Sequence, residues 1–472
     1  MKKILFCLTA LALGSCSELL KEVPADTLVS SNFYQTQSDA LAGMNAVYGR
    51  LNKGLYNRVF YLYTDNFTDD GAAGIGVNNP FIRAIDNFTH APVNDRFDLA
   101  WQEHYDGINR ANEVIEKVPA INMDTQLRSR IVGEAKVVRA LLYFNLVRLF
   151  GSVPLVRSPT ASTEGLDVEQ APVDAVYEQI KKDLTDAETV LPLTYSTGDV
   201  GRATKGAASG LLARMYLTRN QWTLAAQKCK EIIDSKTYEL WDDYAKIFQV
   251  GTENQKEAIF SVQYASNVSN GNTMMILSMP RGKVPGLTGS EADMPTDDLV
   301  KAYETGDRRR EVTIRNSLDV GGKTYTFTNC FFKYYDPAAF SSSGDSGVNY
   351  PVLRYADVLL MYAEALNELN GPTPETYALV NQVRARARNG KTGVLPNLTG
   401  LTKDTFRDAV LNERRVEFAF EGIRWFDLVR TGRMVAVMKA HGKTSVQPFH
   451  VLLPIPQREI DTNKKLKQNQ GY

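Results

Sequence analysis

The sequence predicts a mostly α-helical fold of stacked helical hairpins, with a loop-rich insertion that contains short β-strands. In 203–236 and again in 352–388, apolar residues recur at helical spacing on both sides of a short turn. Both stretches have the size of tetratricopeptide units, in which two helices pack closely and stack on their neighbours. Between them, 257–350 is rich in glycine and serine, and its stretches 259–264 and 323–327 are typical of strands.

The remaining elements follow from the apolar pattern in chain order. A capping-box pattern at 36–39 starts a first amphipathic helix, and a second helix runs over 97–118. The helical pattern fails over 61–94, where we expect a long functional loop that contains several aromatic residues. The helix predicted over 131–150 is apolar almost all the way round, so it belongs at the centre of the fold. We expect two regions, 36–250 and 251–472, packed as one globular unit.

The start of the chain has the features of an exported lipoprotein. Two lysines precede an apolar run at 4–13 that is too short to span a bilayer. The sequence Leu-Gly-Ser-Cys then ends at Cys16 and fits a bacterial lipobox, in which the cysteine sulfur is diacylated and the chain is cut before it. An ordinary secretory signal that happens to contain cysteine is the alternative. We expect a signal peptide at 1–15, a lipidated Cys16 with a linker at 16–35, and durable acyl anchoring at a membrane.

Composition narrows the classes of partner and the redox chemistry. Lys plus Arg and Asp plus Glu number 54 each, so no overall field attracts nucleic acid, and we expect no nucleic-acid partner. Of the four cysteines, Cys7 leaves with the signal and Cys16 carries lipid. Cys229 lies on the apolar face of a predicted helix, where cysteine is usually a small core residue. We expect Cys229 and Cys330 to be free thiols.

Several apparent catalytic or metal motifs fail on their spacing. Gly-Asp-Ser-Gly at 344–347 resembles the nucleophile loop of trypsin-like serine proteases, but those proteases have a mostly β fold and this loop lies in a helical chain. The Gly-Lys-Thr at 322–324 is not a phosphate loop, because the glycine required at position 317 is a serine. The four histidines are scattered, without the helical spacing that zinc needs. The stretch 65–71 is not an EF-hand because Phe67 offers no oxygen ligand, although other calcium binding there stays open. We expect no catalytic residue, no cofactor and no metal site.

Three glutamates occupy successive fourth positions of one predicted helix: Glu413, Glu417 and Glu421. Paired carboxylates serve glycosidases, so a surface glycosidase that uses Glu413 and Glu417 is one alternative function. Arginines surround these glutamates, however, and buried carboxylates beside guanidinium groups usually form ion pairs. We therefore predict a structural network that comprises Glu413, Arg414, Arg415, Glu417, Glu421, Arg424 and Arg430.

Four segments carry motifs in a recognisable order. The first begins with Gly-Glu-Ala-Lys at 133–136 and Arg-Ala at 139–140, and it ends with Gly151 and Pro154. The second is Arg-Tyr-Ala-Asp-Val-Leu-Leu at 354–360. The third, at 413–430, contains Glu-Arg-Arg, Phe-Glu-Gly and Arg-Trp-Phe-Asp-Leu, and the fourth has Pro-Ile-Pro at 454–456. Together they resemble the signatures of SusD/RagB-type nutrient-binding lipoproteins across nearly the whole mature chain.

This resemblance implies a SusD-like helical fold with four tetratricopeptide-like hairpins. It also implies a lipid-anchored protein at the outer membrane, exposed on the cell surface, whose partner is a SusC-like TonB-dependent transporter. The family captures nutrients, mostly oligosaccharides and sometimes peptides, and it has no catalytic residue to transfer. We therefore expect a binding protein and not an enzyme. A tetratricopeptide adaptor that binds only peptide or protein is the second alternative.

Sugar recognition requires a flat aromatic face and planar polar groups on a preformed surface. Two stretches of the sequence offer both, and we expect them to meet on one face. The first contributes Tyr61, Tyr63, Asp65, Asn66, Asn78, Phe81 and Arg83, and the insertion contributes Tyr264, Asn267, Asn270 and Arg281. The alternative for Tyr61 and Tyr63 is that they pack their loop onto the helices.

Overall fold

A computed structural model of the chain describes residues 33–160, 167–268, 271–339 and 345–472. The predicted signal peptide, Cys16, most of the predicted linker and Asn270 lie outside the described residues. Within the described ranges, no helix combines the length and the apolar character that crossing a membrane requires. Cys229 and Cys330 are buried free thiols.

The N-terminal part consists mainly of helices. These helices are α1 (Gln37–Arg50), α2 (Phe60–Thr64), α3 (Pro80–Asp86), α4 (Asp95–Lys117), α5 (Thr125–Phe150), α6 (Val173–Glu188), α7 (Lys205–Thr218) and α8 (Trp222–Asp234). A π-helical segment, Leu51–Val59, joins α1 to α2. Thr36 caps α1 in a capping box with Asp39, as the sequence predicts.

Helix α5 lies at the centre of this part, with α4 packed on one side and α6 on the other. Most of its residues are buried, because apolar side chains surround nearly its whole circumference. Arg139 and Asp183 tie α5 to α6 through a buried ion pair, with Nη2 to Oδ1 at 2.7 Å. Asn112 accepts a further bond of 2.8 Å from Arg139, which satisfies the buried amide oxygen of α4.

The C-terminal part continues the stack. Its helices are α9 (Met274–Ser278), α10 (Asp297–Ala302), α11 (Arg308–Thr313), α12 (Tyr355–Asn370), α13 (Pro374–Ala387), α14 (Lys403–Phe418), α15 (Arg424–Arg430), α16 (Met434–Ala440) and α17 (Gln457–Thr462). The hairpin of α7 and α8 contacts α12, which packs in turn on α13 and α14. Both predicted hairpins are therefore confirmed, and they are neighbours in the stack.

The strands form four antiparallel pairs among the described residues. They are β1 (Gly71–Ala72) with β5 (Met294–Pro295), β2 (Val153–Pro154) with β3 (Gln170–Ala171), β4 (Ala258–Val262) with β8 (Tyr350–Arg354), and β6 (Ile314–Val320) with β7 (Lys323–Phe331). Gly321 and Gly322, both at positive φ, connect β6 and β7 in a two-residue hairpin turn. The predicted insertion with short strands is thus confirmed.

The stretch predicted as one long loop, 61–94, contains two short helices. Helix α2 has five residues and α3 has seven, so neither is long enough to show a helical period in the sequence. Strand β1 lies between them and pairs with β5 of the insertion, in the register Gly71 with Pro295 and Ala72 with Met294. This pairing brings together the two parts of the chain in which we expected ligand-binding residues.

Candidate functional site

A cleft of about 480 Å³ lies between the 61–96 stretch and the insertion. Its polar lining is Tyr61, Asn78, Asn79, Arg96, Thr273, Arg281 and Ser290. Its apolar lining includes Val77, Ile82, Ile276 and Leu277. The two stretches therefore do meet on one face, and we call this feature the Tyr61–Arg281 cleft.

Backbone and amide contacts hold the two walls of the cleft together. The amide nitrogen of Gly74 donates to the carbonyl of Glu291 at 2.8 Å, next to the β1–β5 pair. At the floor, Asn57 accepts a 2.6 Å bond from the backbone nitrogen of Thr273, and its own Nδ2 donates to the carbonyl of Gly271 at 2.9 Å. Because Asn57 is buried, these bonds are shielded from water and form a rigid joint.

Arg83 organises the loop that forms one rim of the cleft. Its guanidinium donates to four carbonyl oxygens: Val77 at 3.0 Å, Ala73 at 3.1 Å, Gly74 at 2.6 Å and Ile75 at 2.9 Å. These carbonyls occupy four of the five N–H donors of Arg83, so its main role in this structure is to hold the loop. Arg83 thereby positions the loop that carries Asn78.

Other predicted ligand residues lie inside the fold. Tyr63, Asp65 and Asn66 are at most 2% exposed, because α2 and the turn after it are packed into the core. The Tyr63 hydroxyl donates to the backbone carbonyl of Arg96. The prediction that these three side chains contact ligand is wrong for this structure. Tyr61 is only 3% exposed, so it both packs the core and presents an edge to the cleft.

Three more predicted residues do not line the cleft. Phe81 is half-buried on α3, and Tyr264 is packed against the main core. Asn267 is exposed and donates to the carbonyl of Ala338 at 3.2 Å, beside a separate cavity that Ala338 lines. That these three side chains contact ligand stays a prediction, because the structure shows only that they do not line the Tyr61–Arg281 cleft. Asn270 lies outside the described residues.

Glu413 and Glu417 lie on α14, but α14 ends at Phe418 and Glu421 lies in the turn that follows, which corrects the prediction of one helix for all three. All three glutamates are paired in the core. Glu417 accepts from Arg309 at 3.1 Å, Arg354 at 3.0 Å and Arg386 at 2.5 Å. Glu413 pairs with Arg309 and Arg384, and Glu421 with Lys333 and Arg354. Burial alone would raise the pKa of Glu417, but the guanidinium groups of Arg386, Arg354 and Arg309 outweigh burial and hold that pKa well below its usual range.

The arginines that follow these glutamates in sequence have other partners, which corrects the predicted pairing. Arg414 pairs with Asp357 and Asp427, and Arg430 pairs with Asp427 and Glu364. Arg415 and Arg424 reach the 61–94 stretch instead. There Arg415 pairs with Asp69 and Asp70, and Arg424 pairs with Asp69. Neighbouring positions on a helix point to different faces, so Arg414 and Arg415 diverge from Glu413 and Glu417. Glu413 and Glu417 are at most 1% exposed, and neither lines the Tyr61–Arg281 cleft.

Comparison with known proteins decides the family. A solved laminarin-binding SusD-like protein is 30% identical, with a TM-score of 0.79, and the match covers 93% of this chain and all of that one. The family profile described as "SusD family" matches residues 315–472. This chain belongs to the SusD family. A second profile, described as "Starch-binding associating with outer membrane", matches residues 25–217 and supports association with the outer membrane.

Curated SusD-family relatives match along the same length. SusD-like protein P2 of Formosa agariphila is 28% identical, covering 100% of this chain and 99% of that protein. The starch-binding protein SusD of Bacteroides thetaiotaomicron is 23% identical, covering 84% and 82%. A solved surface glycan-binding protein A of B. thetaiotaomicron, in complex with laminarihexaose, has a TM-score of 0.78 at 25% identity, over 92% of this chain and 100% of that one.

In this SusD-family chain, sequence reasoning missed several residues of the cleft. Asn79 caps α3 by accepting from the backbone nitrogens of Phe81 at 2.9 Å and Ile82 at 3.3 Å. Its place just before Pro80 was the available signal, because Asn followed by Pro is typical of a helix start. Arg96, Thr273 and Ser290 carry no comparable signal, since only the folded chain brings them to the cleft.

The polar groups of the cleft can both donate and accept hydrogen bonds. Burial, and to a lesser extent the charge of Asp293, raises the pKa of Tyr61, so its hydroxyl stays protonated and can donate. The Arg281 side chain is exposed, with its Nη2 3.5 Å from the carbonyl of Ser290. The Asn78 side chain is also exposed, and an amide can both donate and accept. Such planar groups recognise hydroxyls in pairs.

Proposed function

We propose that this SusD-family protein is a binding protein that holds an oligosaccharide in the Tyr61–Arg281 cleft at the cell surface. The observation that carries the proposal is the convergence, at one cleft, of exposed Asn78 and Arg281 from stretches about 200 residues apart in the sequence. Three of the relatives described above add support. By their names, one binds laminarin, one was solved in complex with laminarihexaose, and one is a starch-binding protein.

The cleft would bind sugar with aliphatic and polar groups in place of an aromatic platform. Tyr61 contributes only an edge, whereas Ile82, Ile276 and Leu277 are partly exposed and can pack against the C–H face of a sugar ring. Hydroxyl groups at the rim of the ring would then bond to Asn78 and Arg281. Because the walls are joined by buried hydrogen bonds, little ordering is required on binding.

Anchoring and delivery complete the proposal. The lipobox at Cys16 and the outer-membrane description of the matching profile both support a lipid anchor that displays the body on the cell surface. The bound oligosaccharide would then pass to a SusC-like TonB-dependent transporter. Affinity purification of the tagged protein from detergent-solubilised outer membranes tests this step, and recovery without any TonB-dependent transporter would contradict it.

Calorimetry tests the ligand and the cleft together. The body without its lipid is titrated with laminarihexaose and with maltohexaose, and we expect at least one to bind. Asn78→Ala and Arg281→Ala should each weaken that binding by about 1–3 kcal/mol, the usual cost of a polar partner left unmatched.

Two matched substitutions serve as controls for the cleft. Asn87→Ala and Arg458→Ala change exposed side chains of the same types outside the cleft, and they should leave affinity unchanged. The thermal midpoint of every variant is also measured, so that a loss of affinity caused by unfolding is distinguished from one caused by a missing ligand contact. If Asn78→Ala and Arg281→Ala bind the ligand as tightly as wild type does, the binding site lies elsewhere. If no glycan of a wider panel binds, the oligosaccharide proposal is refuted.

A further inference from the structure

A small cavity lies where the N-terminal and C-terminal parts of the chain meet, and it shares no lining residue with the Tyr61–Arg281 cleft. The N-terminal part lines it with the π-helical segment, α5 and α7, and the C-terminal part with β8, α14 and α15. The cavity has a volume of about 30 Å³. About 10–15 Å³ is enough for one water molecule, and pockets for organic ligands usually measure about 300 Å³ or more. Only water or a small ion therefore fits.

The charged side chains that line this cavity are mostly basic. They are four arginines, Arg148, Arg214, Arg414 and Arg430, and two acidic residues, Glu421 and Asp427. All of them except Arg148 form ion pairs. For Arg148, the described ranges contain no ion-pair partner. The cavity is thus lined by one guanidinium group with which no carboxylate pairs.

Two phenylalanine rings hold the Arg148 guanidinium in place. Its Cζ lies 3.8 Å from the ring centroid of Phe144 and 3.6 Å from that of Phe426, so the planar group packs on rings of α5 and of α15. Its Nε donates to the carbonyl of Phe144 at 3.0 Å, and its Nη2 donates to Asn145 Oδ1 at 2.9 Å. The other three N–H groups of Arg148 have no acceptor among the described residues. The cation is therefore fixed in position with most of its donors unused.

The Tyr56 hydroxyl is a second donor at the cavity. Arg148 fixes the orientation of the Asn145 amide, because Asn145 Oδ1 accepts the bond from Arg148. The Nδ2 of Asn145 then donates to the Tyr56 oxygen at 2.9 Å, so this oxygen acts as an acceptor. Tyr56 is only 3% exposed, and its own O–H finds no acceptor in the part of the chain that the structure describes. Arg148 and Tyr56 therefore both have unused donors, which suit a ligand that only accepts.

The pKa values agree with a missing negative charge. Burial, and after it the like charge of Arg214, lowers the pKa of Arg148 to about 9. Burial acts on Arg430 in the same direction, but the carboxylates of Glu364 and Asp427 outweigh it and raise the pKa of Arg430. Arg148 is still protonated at pH 7, so its charge must be accommodated. Water would accept hydrogen bonds but leave this charge unbalanced, whereas an anion provides both the acceptor and the charge.

We propose that a small monovalent anion, chloride in the first place, binds in this cavity against the Arg148 guanidinium and the Tyr56 hydroxyl. Glu421 and Asp427 do not compete for these donors, because both are already held in ion pairs. Since Arg148 of α5 packs on Phe426 of α15, the anion stabilises the contact between the two parts of the chain. Its binding does not depend on any sugar ligand or on the function proposed above.

Bromide resembles chloride and has an anomalous X-ray signal, so diffraction can locate it. In crystals of the mature protein soaked in sodium bromide, we expect an anomalous peak within hydrogen-bonding distance of Arg148 and Tyr56. In solution, sodium chloride replaces sodium gluconate at constant ionic strength, because gluconate is too large for the cavity. At a chloride concentration about tenfold above its dissociation constant, the thermal midpoint should rise by about 1.5 °C for a protein of this length.

Arg148→Met is the informative variant, because it removes the unpaired charge and keeps an apolar side chain beside the two rings. It should lose both the bromide peak and the chloride-dependent rise. Arg315→Met is the matched control and should keep that rise, because Arg315 also packs on a phenylalanine ring but lies outside this cavity. Tyr56→Phe removes only the O–H group and should weaken chloride binding about three- to tenfold, which keeps the test open if Arg148→Met does not fold.

Three results would overturn the proposal. The first is a wild-type midpoint that does not rise in chloride, whether or not the variants fold. The second is a bromide peak without that rise, which would mean an adventitious ion only. The third is an unchanged chloride affinity in both Arg148→Met and Tyr56→Phe, or in Tyr56→Phe alone if Arg148→Met is unfolded, because chloride would then act at another place.

Discussion

The most direct test of the buried ion-pair network is Glu417→Gln. Glutamine has nearly the same shape, so the substitution removes charge while it preserves packing. Glu417 is fully buried and accepts bonds from Arg309, Arg354 and Arg386. In the variant, the amide NH₂ group must face at least one of these guanidinium groups. Both groups are hydrogen-bond donors, so that ion pair is lost and no hydrogen bond replaces it.

The structure sets the size of the effect. Each of the three arginines keeps a second carboxylate, because Arg309 also binds Glu413, Arg354 binds Glu421 and Arg386 binds Glu257. The loss is therefore that of one buried pair, about 3–5 kcal/mol, and not three times that amount. With an unfolding entropy of about 2.1 cal/mol/K per residue, the thermal midpoint of a body of about 440 residues should fall by about 3–5 °C.

Calorimetric melting near pH 7 measures this shift, and Glu311→Gln is the matched control. Glu311 forms a 2.7 Å pair with Arg308, but its side chain is 51% exposed. Water and salt screen such a pair, so its loss should cost less than about 1 kcal/mol. If Glu417→Gln melts together with wild type and Glu311→Gln, the network does not stabilise the fold and our reading of α14 is refuted.

Three further predictions concern the rim, the acid response and the anchor. Arg83→Ala should speed hydrogen exchange of the amides at 73–77 by about tenfold or more, because four carbonyl bonds to its guanidinium are lost; unchanged exchange would mean that packing alone holds the loop. Burial would raise the pKa of Asp357, but the charges of Arg214 and Arg414 lower it from 3.8 to about 2. Its stabilisation is therefore present above pH 3.8 and is lost as pH falls toward 2, so wild type should lose about 2 kcal/mol in that window that Asp357→Asn does not lose; parallel pH profiles would contradict this. Cys16→Ala should move the protein from the membrane fraction to the soluble fraction, and a correctly cleaved variant that stays with membranes would argue against the acyl anchor.

The helical hairpins show where sequence patterns are reliable. Helices α7, α8, α12 and α13 lie within the two stretches in which apolar residues recur at helical spacing. Each is 13 to 16 residues long, which is enough for three or more turns and a clear apolar face. The helices α2 and α3 are too short for such a face, and for this reason the sequence pattern over 61–94 predicts a loop.

The candidate site was predictable only in part. Asn78 and Arg281 line the cleft as expected, whereas Tyr63 and Asn66 are in the core. A tyrosine or an asparagine in an aperiodic stretch is equally compatible with a surface and with a buried turn, and the sequence does not distinguish the two. Arg83 illustrates a third outcome, because four of its five N–H donors bond to the carbonyls of its own loop.

The sequence by itself determined the stacked hairpins, the SusD-family signatures and the presence of a buried charged network around α14, because each depends on spacing within one segment. Only the tertiary structure decided which guanidinium pairs with which carboxylate, and which polar side chains reach the cleft. Arg309 reaches Glu413 across 104 residues, and Asn66 reaches Ala292 across 226. Contacts at such separation depend on how whole elements pack, and local periodicity carries no information about that packing.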